Sequence, residues 1–281
     1  MSDEAQRLGA FLRARREALS PARVGLVASG HRRRVPGLRR EEVALRANIS
    51  TDYYTRLEQA RVPPPSPGVL AALADALLLD PEEELYLRDI SQPHGGTRSP
   101  GPSRQVPARS LRLLNDLATL PALVMSPFMH VLAWNRQAAE LFVDFGEVPE
   151  PDRNLARLIY LDSRLRERFL DWSEIARACT AIMRMGAARH PHDAELTRLL
   201  DELGRRDASF AESWEAHGVA RRPRSRSTYL HPAFGPMVLD WQILTSADSP
   251  DHLTAVIGPG DEGPSADAFR ALGDRAKQTV R

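Results

Sequence analysis

Hydrophobic positions recur at helical spacing in five successive segments of the first ninety residues. In the first segment, residues 4–19, Leu8, Phe11 and Leu12 fall near one face, and arginines occupy the others. Five amphipathic helices are enough to enclose a small core. The pattern therefore predicts an all-α domain over residues 1–92.

Residues 38–61 predict two short helices joined by a tight turn. Asn48 stands where the chain must reverse, and asparagine is one of the few residues besides glycine that tolerates a left-handed backbone. Ser50 is a good N-cap for the next helix, which we expect from Thr51 to about Gln59. This arrangement is typical of a helix-turn-helix.

The second of these helices has two contrasting faces. Tyr54 and Leu57, three residues apart, predict the buried face. A polar outer face of this kind can present side chains to the major groove of DNA. Its members are Thr51, Asp52, Thr55, Arg56 and Gln59.

Two further helices complete the first domain. Ser66 is an N-cap with proline at the first helical position, and Asp80 with Glu83 forms a capping box. The predicted core positions of these helices are Leu70, Leu73, Ala74, Leu77, Leu78, Leu85, Leu87 and Ile90.

The remaining chain changes character after a linker rich in proline and glycine, predicted over residues 93–108. Strand-like runs occur at both ends of a long helical stretch, 152–217, which predicts an α+β domain with an antiparallel sheet over residues 109–262. Residues 263–281 are expected to form a tail that adds a helix or frays. The predicted strands are 122–126, 130–135, 228–230, 237–245 and 253–257.

Charge is distributed unevenly, although 281 residues carry a formal net charge of only +1. Residues 1–61 hold thirteen arginines against seven acids, and residues 62–92 hold one arginine against six. A duplex would dock on the basic side of such a surface, and the alternative is a solvated helical face. Three consecutive arginines, Arg32, Arg33 and Arg34, are expected to contact phosphates or the minor groove, unless they form a solvated turn.

Several classes of protein are disfavoured. Cys179 is the single cysteine, which leaves neither internal disulfides nor a cysteine-based zinc site. His190 and His192 flank a proline without the spacing of a known metal site. Catalytic motifs, a signal peptide and an apolar run of membrane length are all missing from the sequence, so we expect a cytoplasmic protein that is not an enzyme and carries no cofactor or metal.

The string P-G-L-R-R-E-E-V-A…S-T-D-Y-Y-T-R-L-E-Q…R-V-P-P-P-S-P resembles the helix-turn-helix of xenobiotic-response-element (Cro/repressor-like) regulators, and more specifically the MmyB-like subfamily. Two positions depart from that pattern, because Asn48 replaces the turn glycine and Ala60 replaces the glycine that ends the recognition helix. Asn48 is expected to do the same task, whereas Ala60 is expected to lengthen or reshape the helix exit.

The second domain carries the same resemblance in H-V-L-A-W-N, R-N-L-A-R and L-H-P-A-F-G-P-M-V-L-D-W. The resemblance implies a five-helix Cro/repressor-like domain followed by a PAS-like domain with a site for an apolar, fatty-acid-like molecule. From the residues alone, the sheet and helices could equally make a closed core.

Candidate effector contacts in the second domain are a strand-end indole and carboxamide, a group of donors for an acidic head group, and an adaptable methionine. The arginines could instead form surface ion pairs, and the tryptophan could be a core residue. The candidates are Trp134, Asn135, Arg153, Asn154, Arg157 and Met183.

Candidate DNA contacts begin with Thr51, Asp52 and Arg56 as base readers, since arginine is the commonest reader of guanine. One such helix is too small for specific binding, so we expect a homodimer on two half-sites about 34 Å apart. The alternative is a regulator whose second domain dimerises without a ligand. The remaining predicted contacts, chiefly to phosphates, are Arg39, Arg40, Ser50, Tyr53 and Arg61, with the three consecutive arginines described above.

Overall fold

The structure, a computed structural model, describes residues 3–26, 37–91, 101–216 and 226–278. The chain divides into two units, one comprising Met1–Thr97 with Trp214–Arg221 and the other Arg98–Ser213 with Arg222–Arg281. The unit boundary after Thr97 lies within the predicted linker. The assignment of 214–221 to the first unit was not predicted from the sequence.

The first unit contains the five predicted helices. A 3-10 turn, Pro21–Val24, follows the first of them. Tight caps define where several helices begin, as the sequence indicates: the Ser50 hydroxyl accepts a hydrogen bond from the Tyr53 amide at 3.1 Å. The helices are α1 (Asp3–Ala18), α2 (Arg40–Arg46), α3 (Thr51–Glu58), α4 (Pro67–Leu77) and α5 (Pro81–Ser91).

Three of these helices end on a left-handed residue that is not glycine. Asn48, Ala60 and Leu78 have φ angles of 52°, 55° and 52°. After α3, the amide of Ala60 donates to the Leu57 carbonyl and the amide of Arg61 to the Arg56 carbonyl, which is the Schellman pattern. The expectation for Asn48 is confirmed. Ala60 does not lengthen α3 but takes the glycine's conformation.

Two predicted core positions are wrong. The side chains of Leu78 and Leu85 are 43% and 52% exposed, whereas Tyr86, Leu87 and Ile90 are buried. Leu78 is carried out of the core because it adopts the left-handed cap of α4. In α5 the buried stripe runs through Tyr86 and Ile90, four residues apart, which turns Leu85 towards solvent.

The second unit combines eight helices with five strands among the described residues. α7 follows β2 directly and ends at Leu141. A 3-10 turn, Glu150–Asp152, precedes α8. The helices are α6 (Ala108–Asp116), α7 (Arg136–Leu141), α8 (Leu155–Leu161), α9 (Ser163–Arg166), α10 (Trp172–Arg189), α11 (Ala194–Arg206), α12 (Ala208–Glu215) and α13 (Pro264–Gln278).

The five strands form one sheet in the order β2-β1-β5-β4-β3, and every neighbouring pair is antiparallel. Strands from both ends of the helical stretch thus meet at the centre, where β1 pairs with β5. The predicted α+β domain is confirmed. The strands are β1 (Ala122–Met125), β2 (Val131–Trp134), β3 (Arg226–His231), β4 (Gly235–Ser246) and β5 (Ser249–Pro259).

Strand register separates the side chains into two faces, because neighbours along a strand point to opposite sides. On the inner face, Leu123, Ala255 and Tyr229 are fully buried. On the outer face, α6 places Leu114 against Ala122 and its neighbours in the sheet. The inner face supplies the main core of this unit.

The described segments at both ends of the predicted second domain belong to the second unit. Residues 101–107 are tied to the unit, since Arg104 pairs with Glu150 and Glu195 at 2.8 and 2.7 Å. At the other end, α13 buries Phe269 and Leu272 and packs on α7 and the sheet. Neither segment is therefore only a linker or a tail.

Within the described residues, no helix has the length and apolar character needed to span a membrane.

Candidate nucleic-acid interface and second site

The outer face of α3 is a solvent-exposed polar surface of the helix-turn-helix. Thr51, Asp52 and Arg56 are exposed, and Tyr54 and Leu57 beneath them are buried. Arg56 pairs with Asp52 one turn away, with 2.5 Å between Nη2 and Oδ2. The three predicted base readers therefore share one solvent-facing surface, with the arginine already oriented along it.

The predicted phosphate contacts around this surface differ in their exposure to solvent. Arg61 is exposed, and Arg39 is about half exposed beside Glu41. Tyr53 is half-buried, and its amide is the donor to the Ser50 cap. Arg32, Arg33 and Arg34 lie outside the described residues.

Glu58 at the end of α3 is the centre of a buried ionic network that sequence reasoning missed. Its side chain is only 1% exposed, and its carboxylate accepts from Arg16 Nε at 2.6 Å and from Arg40 Nε at 2.7 Å. Arg16 also donates to the Leu38 carbonyl at 3.0 Å. One carboxylate thus ties α3 to α1 and to the start of α2.

The electrostatics of this network favour the ionised carboxylate. Burial by itself would raise the pKa of Glu58, but the hydrogen bonds and positive charges of Arg16 and Arg40 outweigh it, and the pKa lies below its ordinary value. Arg40, a predicted phosphate contact, therefore has a structural partner. About two-fifths of its side chain remains exposed.

A glycine allows α1 to approach α3 closely enough for this network. A β-carbon at Gly9 would lie 2.5 Å from the carbonyl oxygen of Glu58, closer than any real contact. The neighbouring atoms are backbone and cannot move aside. Gly9 thus sets the distance at which the recognition helix sits on its support.

In the second unit, Asn135 has a structural role. Its Oδ1 accepts from the amides of Ala122 and Ala138, at 2.9 and 3.0 Å. Its Nδ2 donates to the carbonyls of Leu117 and Leu120 at 3.0 and 2.8 Å. These bonds occupy the donors and acceptors of the carboxamide, which leaves none of them for an effector.

Asn154 and Arg157 are likewise engaged within the protein. Asn154 caps α8 by accepting from the Arg157 amide, and its Nδ2 donates to the Phe128 carbonyl at 2.7 Å. Arg157 pairs with Asp152 at 3.1 Å and with Glu202 at 2.7 Å. Arg157 was predicted to bind an acidic head group, but two carboxylates of the protein already balance its positive charge.

Arg153 and Trp134, two of the candidate effector contacts, lie next to each other. The guanidinium lies 4.9 Å from the centre of the indole ring, and Nη2 donates to the Val148 carbonyl at 3.0 Å. Arg153 Nε is buried and has no hydrogen-bond partner within the part of the chain that the structure describes. Met183 is fully buried on α10, away from solvent.

Comparison with known proteins agrees with this architecture. A family model described as "MmyB-like transcription regulator ligand binding domain" matches residues 106–272, and one described as "Helix-turn-helix domain" matches residues 7–87. The chain belongs to the MmyB-like transcription regulators. No curated protein matched it. A DNA-binding helix-turn-helix joined to a ligand-binding domain makes the protein a DNA-binding transcriptional regulator.

Other reactive groups of this MmyB-like regulator are buried or dispersed. Burial raises the pKa of Cys179 to about 12, which keeps the thiol protonated and unreactive at neutral pH. His190 lies 3.1 Å from Asp251 and His192 is exposed. Across the described ranges, no three His, Cys, Asp or Glu side chains come together as a metal site.

An aromatic cluster on the inner face was also missed by sequence reasoning. The ring of Phe142 lies 5.6 Å from that of Tyr229 and 5.5 Å from that of Trp241. Arg168 donates to the Phe142 carbonyl at 3.0 Å and to the Tyr229 hydroxyl at 3.2 Å. The contributing segments are up to about a hundred residues apart, so local periodicity carries no signal for this cluster.

Proposed function

We propose that this MmyB-like regulator reads a specific operator through α3 as a homodimer, and that its second unit senses an apolar, fatty-acid-like molecule. The observation that carries the first part is the exposed Asp52–Arg56 pair on a helix held from beneath by Glu58. A base-reading side chain discriminates best when the helix that carries it cannot shift.

Arg56 has the geometry for reading guanine. It lies one turn beyond Asp52 on the solvent-facing side of α3, and it is 51% exposed. A guanidinium can donate two hydrogen bonds to guanine O6 and N7, and a carboxylate can accept from cytosine N4. Arg39 and Arg61 flank this surface and support the docking as phosphate contacts.

The effector hypothesis now depends on Arg153 and Trp134. Arg153 has no carboxylate partner among the described residues, and a half-buried positive charge in that state favours an anion. The indole beside it supplies an apolar wall. A carboxylic acid with a long apolar chain has both required properties. The molecule changes DNA binding only if it binds one arrangement of the dimer better than another.

A second candidate is a regulator whose second unit dimerises without a ligand. The close packing of the inner sheet face favours it, because the protein's own atoms fully bury Leu123, Ala255, Ile257, Met237 and Leu239. A core that is complete in this way can fold and assemble alone.

The deciding experiment is selection of binding sites from random duplex DNA, with and without a lipid extract. The proposal predicts an enriched inverted repeat whose enrichment changes with the extract. Native mass spectrometry of the full chain then separates the two candidates: lipid-sized additional mass supports a sensor, and an apo dimer supports ligand-free dimerisation. Failure to enrich any sequence contradicts specific DNA reading.

A matched pair of variants tests Arg56. We expect Arg56→Ala to weaken binding to the selected site by about 1–3 kcal/mol and to relax preference at one base pair. Arg88→Ala is the control, since Arg88 forms the same kind of pair, with Glu84, and is similarly exposed, but lies on the acidic helix α5. Equal effects of the two substitutions on DNA affinity would remove Arg56 from the interface.

A further inference from the structure

Residues 101–107, called the strap from here on, lie on the second unit directly before α6. They belong to no helix or strand. Within the described chain, no backbone–backbone hydrogen bond joins residues 101–106 to the rest of the unit. Contacts made by side chains therefore hold the strap in place. A segment held in this way can leave the surface while the unit beneath it stays folded.

Arg104 makes the charged contacts of the strap. Its Nη1 donates to Glu150 at 2.8 Å, and its Nη2 donates to Glu195 at 2.7 Å. Glu150 lies in the 3-10 turn before α8, and Glu195 lies in the first turn of α11. All three side chains are at least 41% exposed, so each pair is weak in water. One guanidinium thus ties the strap to two separate elements by bonds that can break.

Two further contacts hold the strap on either side of Arg104. The buried ring of His252 on β5 lies 2.8 Å from the Ser103 carbonyl, and Nε2 is the donor because a carbonyl oxygen can only accept. Val106 packs, partly buried, against the outer-face cluster that contains Leu114. Arg104 lies between these two contacts, so its loss weakens the hold at the middle of the strap.

The strap determines how many residues connect α5 to the docked second unit. With the strap in place, the nine residues 92–100 separate it from Ser91 at the end of α5. Release adds the seven residues of the strap, which span at most about 23–25 Å. Two released straps in a homodimer therefore add up to about 46–50 Å, more than the roughly 34 Å of one helical turn of DNA.

We propose that Arg104 is a positioning residue for DNA recognition: by holding the strap on the second unit, it limits the separation of half-sites that the homodimer accepts. Arg104 acts through the length of the connecting chain and not through contact with DNA. The inference deepens the proposed function and rests on it, since half-site separation matters only if two copies read one operator.

The first test measures docking of the strap without DNA, by NMR on the full chain. The Nε2 proton of His252 is protected from water while it donates to Ser103. In Arg104→Met we expect this proton to exchange with water about tenfold faster, because the strap leaves the surface more often. An exchange rate equal to that of the wild type would show that Arg104 does not hold the strap.

Arg206→Met is the matched control. Arg206 is 54% exposed and pairs with Glu202 at 2.9 Å in the last turn of α11, outside the contacts of the strap. We expect this variant to leave the exchange of the His252 proton unchanged. Glu150→Gln removes the charge of one of the two carboxylates that Arg104 holds, and an exchange rate between those of the wild type and Arg104→Met is expected.

The decisive test varies the separation of the half-sites. The duplexes carry the selected inverted repeat at its own separation or with about ten further base pairs, which is one helical turn. On the longer duplex, the wild type and Arg206→Met are expected to lose affinity on the order of a hundredfold, since both copies can no longer bind together. Arg104→Met is expected to lose less than about tenfold, because its longer connections still let both copies bind. A purely structural role of Arg104 does not change this ratio.

Equal losses for Arg104→Met and Arg206→Met on the longer duplex would overturn the inference, while the reading of the operator by α3 would stand. If the wild type enriches no inverted repeat, the proposed operator reading itself fails, and the inference falls with it. Selection with the wild type alone therefore distinguishes the two failures.

Discussion

The two units of this regulator place their buried polar groups in different ways. In the first unit, one carboxylate, Glu58, is shared by two arginines and joins three helices. In the second, the core is an apolar sheet face, and its predicted polar contacts serve as caps or form ion pairs nearer the surface. The position of α3 thus depends on charge pairing, whereas the second unit depends on packing and on backbone hydrogen bonds.

The largest expected effect comes from breaking the ionic network. Arg16→Met leaves a carboxylate in the core with only its half-exposed partner Arg40, and we expect a loss of about 3–5 kcal/mol in the stability of the first unit. Arg13→Met, which removes an exposed pair with Glu17, is expected to cost under about 1 kcal/mol. Native-state hydrogen exchange at the amides of α3 measures both. Similar values would show that the network is not a major source of stability.

Lowering the pH should reduce the difference in stability between the wild type and the Arg16→Met variant. The pKa of Glu58 is lowered in the folded state, so the network stabilises the fold above the ordinary carboxyl pKa of about 4.5 and loses its effect as pH falls through the lower, folded value. We expect the stability difference between wild type and Arg16→Met to narrow steadily below about pH 4. Urea unfolding at several pH values tests this, and a constant difference would contradict the ionised state of Glu58.

For the second unit, the corresponding test is Asn135→Ala. Loss of the carboxamide leaves buried amides and carbonyls without partners, and we expect a cost of about 1–3 kcal/mol in thermal or urea unfolding. Gln242→Ala, on the exposed outer face, should stay within about 0.5 kcal/mol of wild type. If Asn135→Ala instead abolishes bound lipid mass while leaving stability unchanged, the residue is an effector contact after all.

The smallest expected effect is a gain in the stability of the first unit. Ala60→Gly relieves a left-handed backbone and is expected to stabilise the first unit by about 0.5–1 kcal/mol. The same substitution at exposed Ala71, in the middle of α4, should destabilise by a similar amount. A gain in stability at position 60 with a loss at position 71 would confirm backbone strain at Ala60, and a loss of stability at both positions would refute it.

Local chemistry explains which parts of the first unit were predictable from sequence. Asn48 and Ser50 determine a turn and a cap within a few residues, so their roles can be read directly. Leu85 was misplaced because helical spacing does not reveal which side meets a partner. Glu58 gave no signal, since Arg16 lies 42 residues away.

In the second unit the strands and their antiparallel class were predictable, but the candidate site was mostly not. Arg157 has the residue type for a head group, yet its charge is balanced by Glu202, 45 residues later in the chain. Arg153 and Trp134 were separate candidates in the sequence, and their cation–π contact could not be predicted from it. Such pairings depend on tertiary distances that one sequence does not contain.

The position of Glu58 has a consequence for exchanging recognition helices among regulators. Residues 51, 52 and 56 face solvent, so the side chains proposed to read bases can be changed without disturbing the scaffold. Glu58 belongs to the same eight-residue helix, but it is part of the support. A helix transplanted from another regulator must therefore carry a carboxylate at position 58 and must pack closely against Gly9. Otherwise the new base-contacting side chains stand on a helix whose position is no longer fixed.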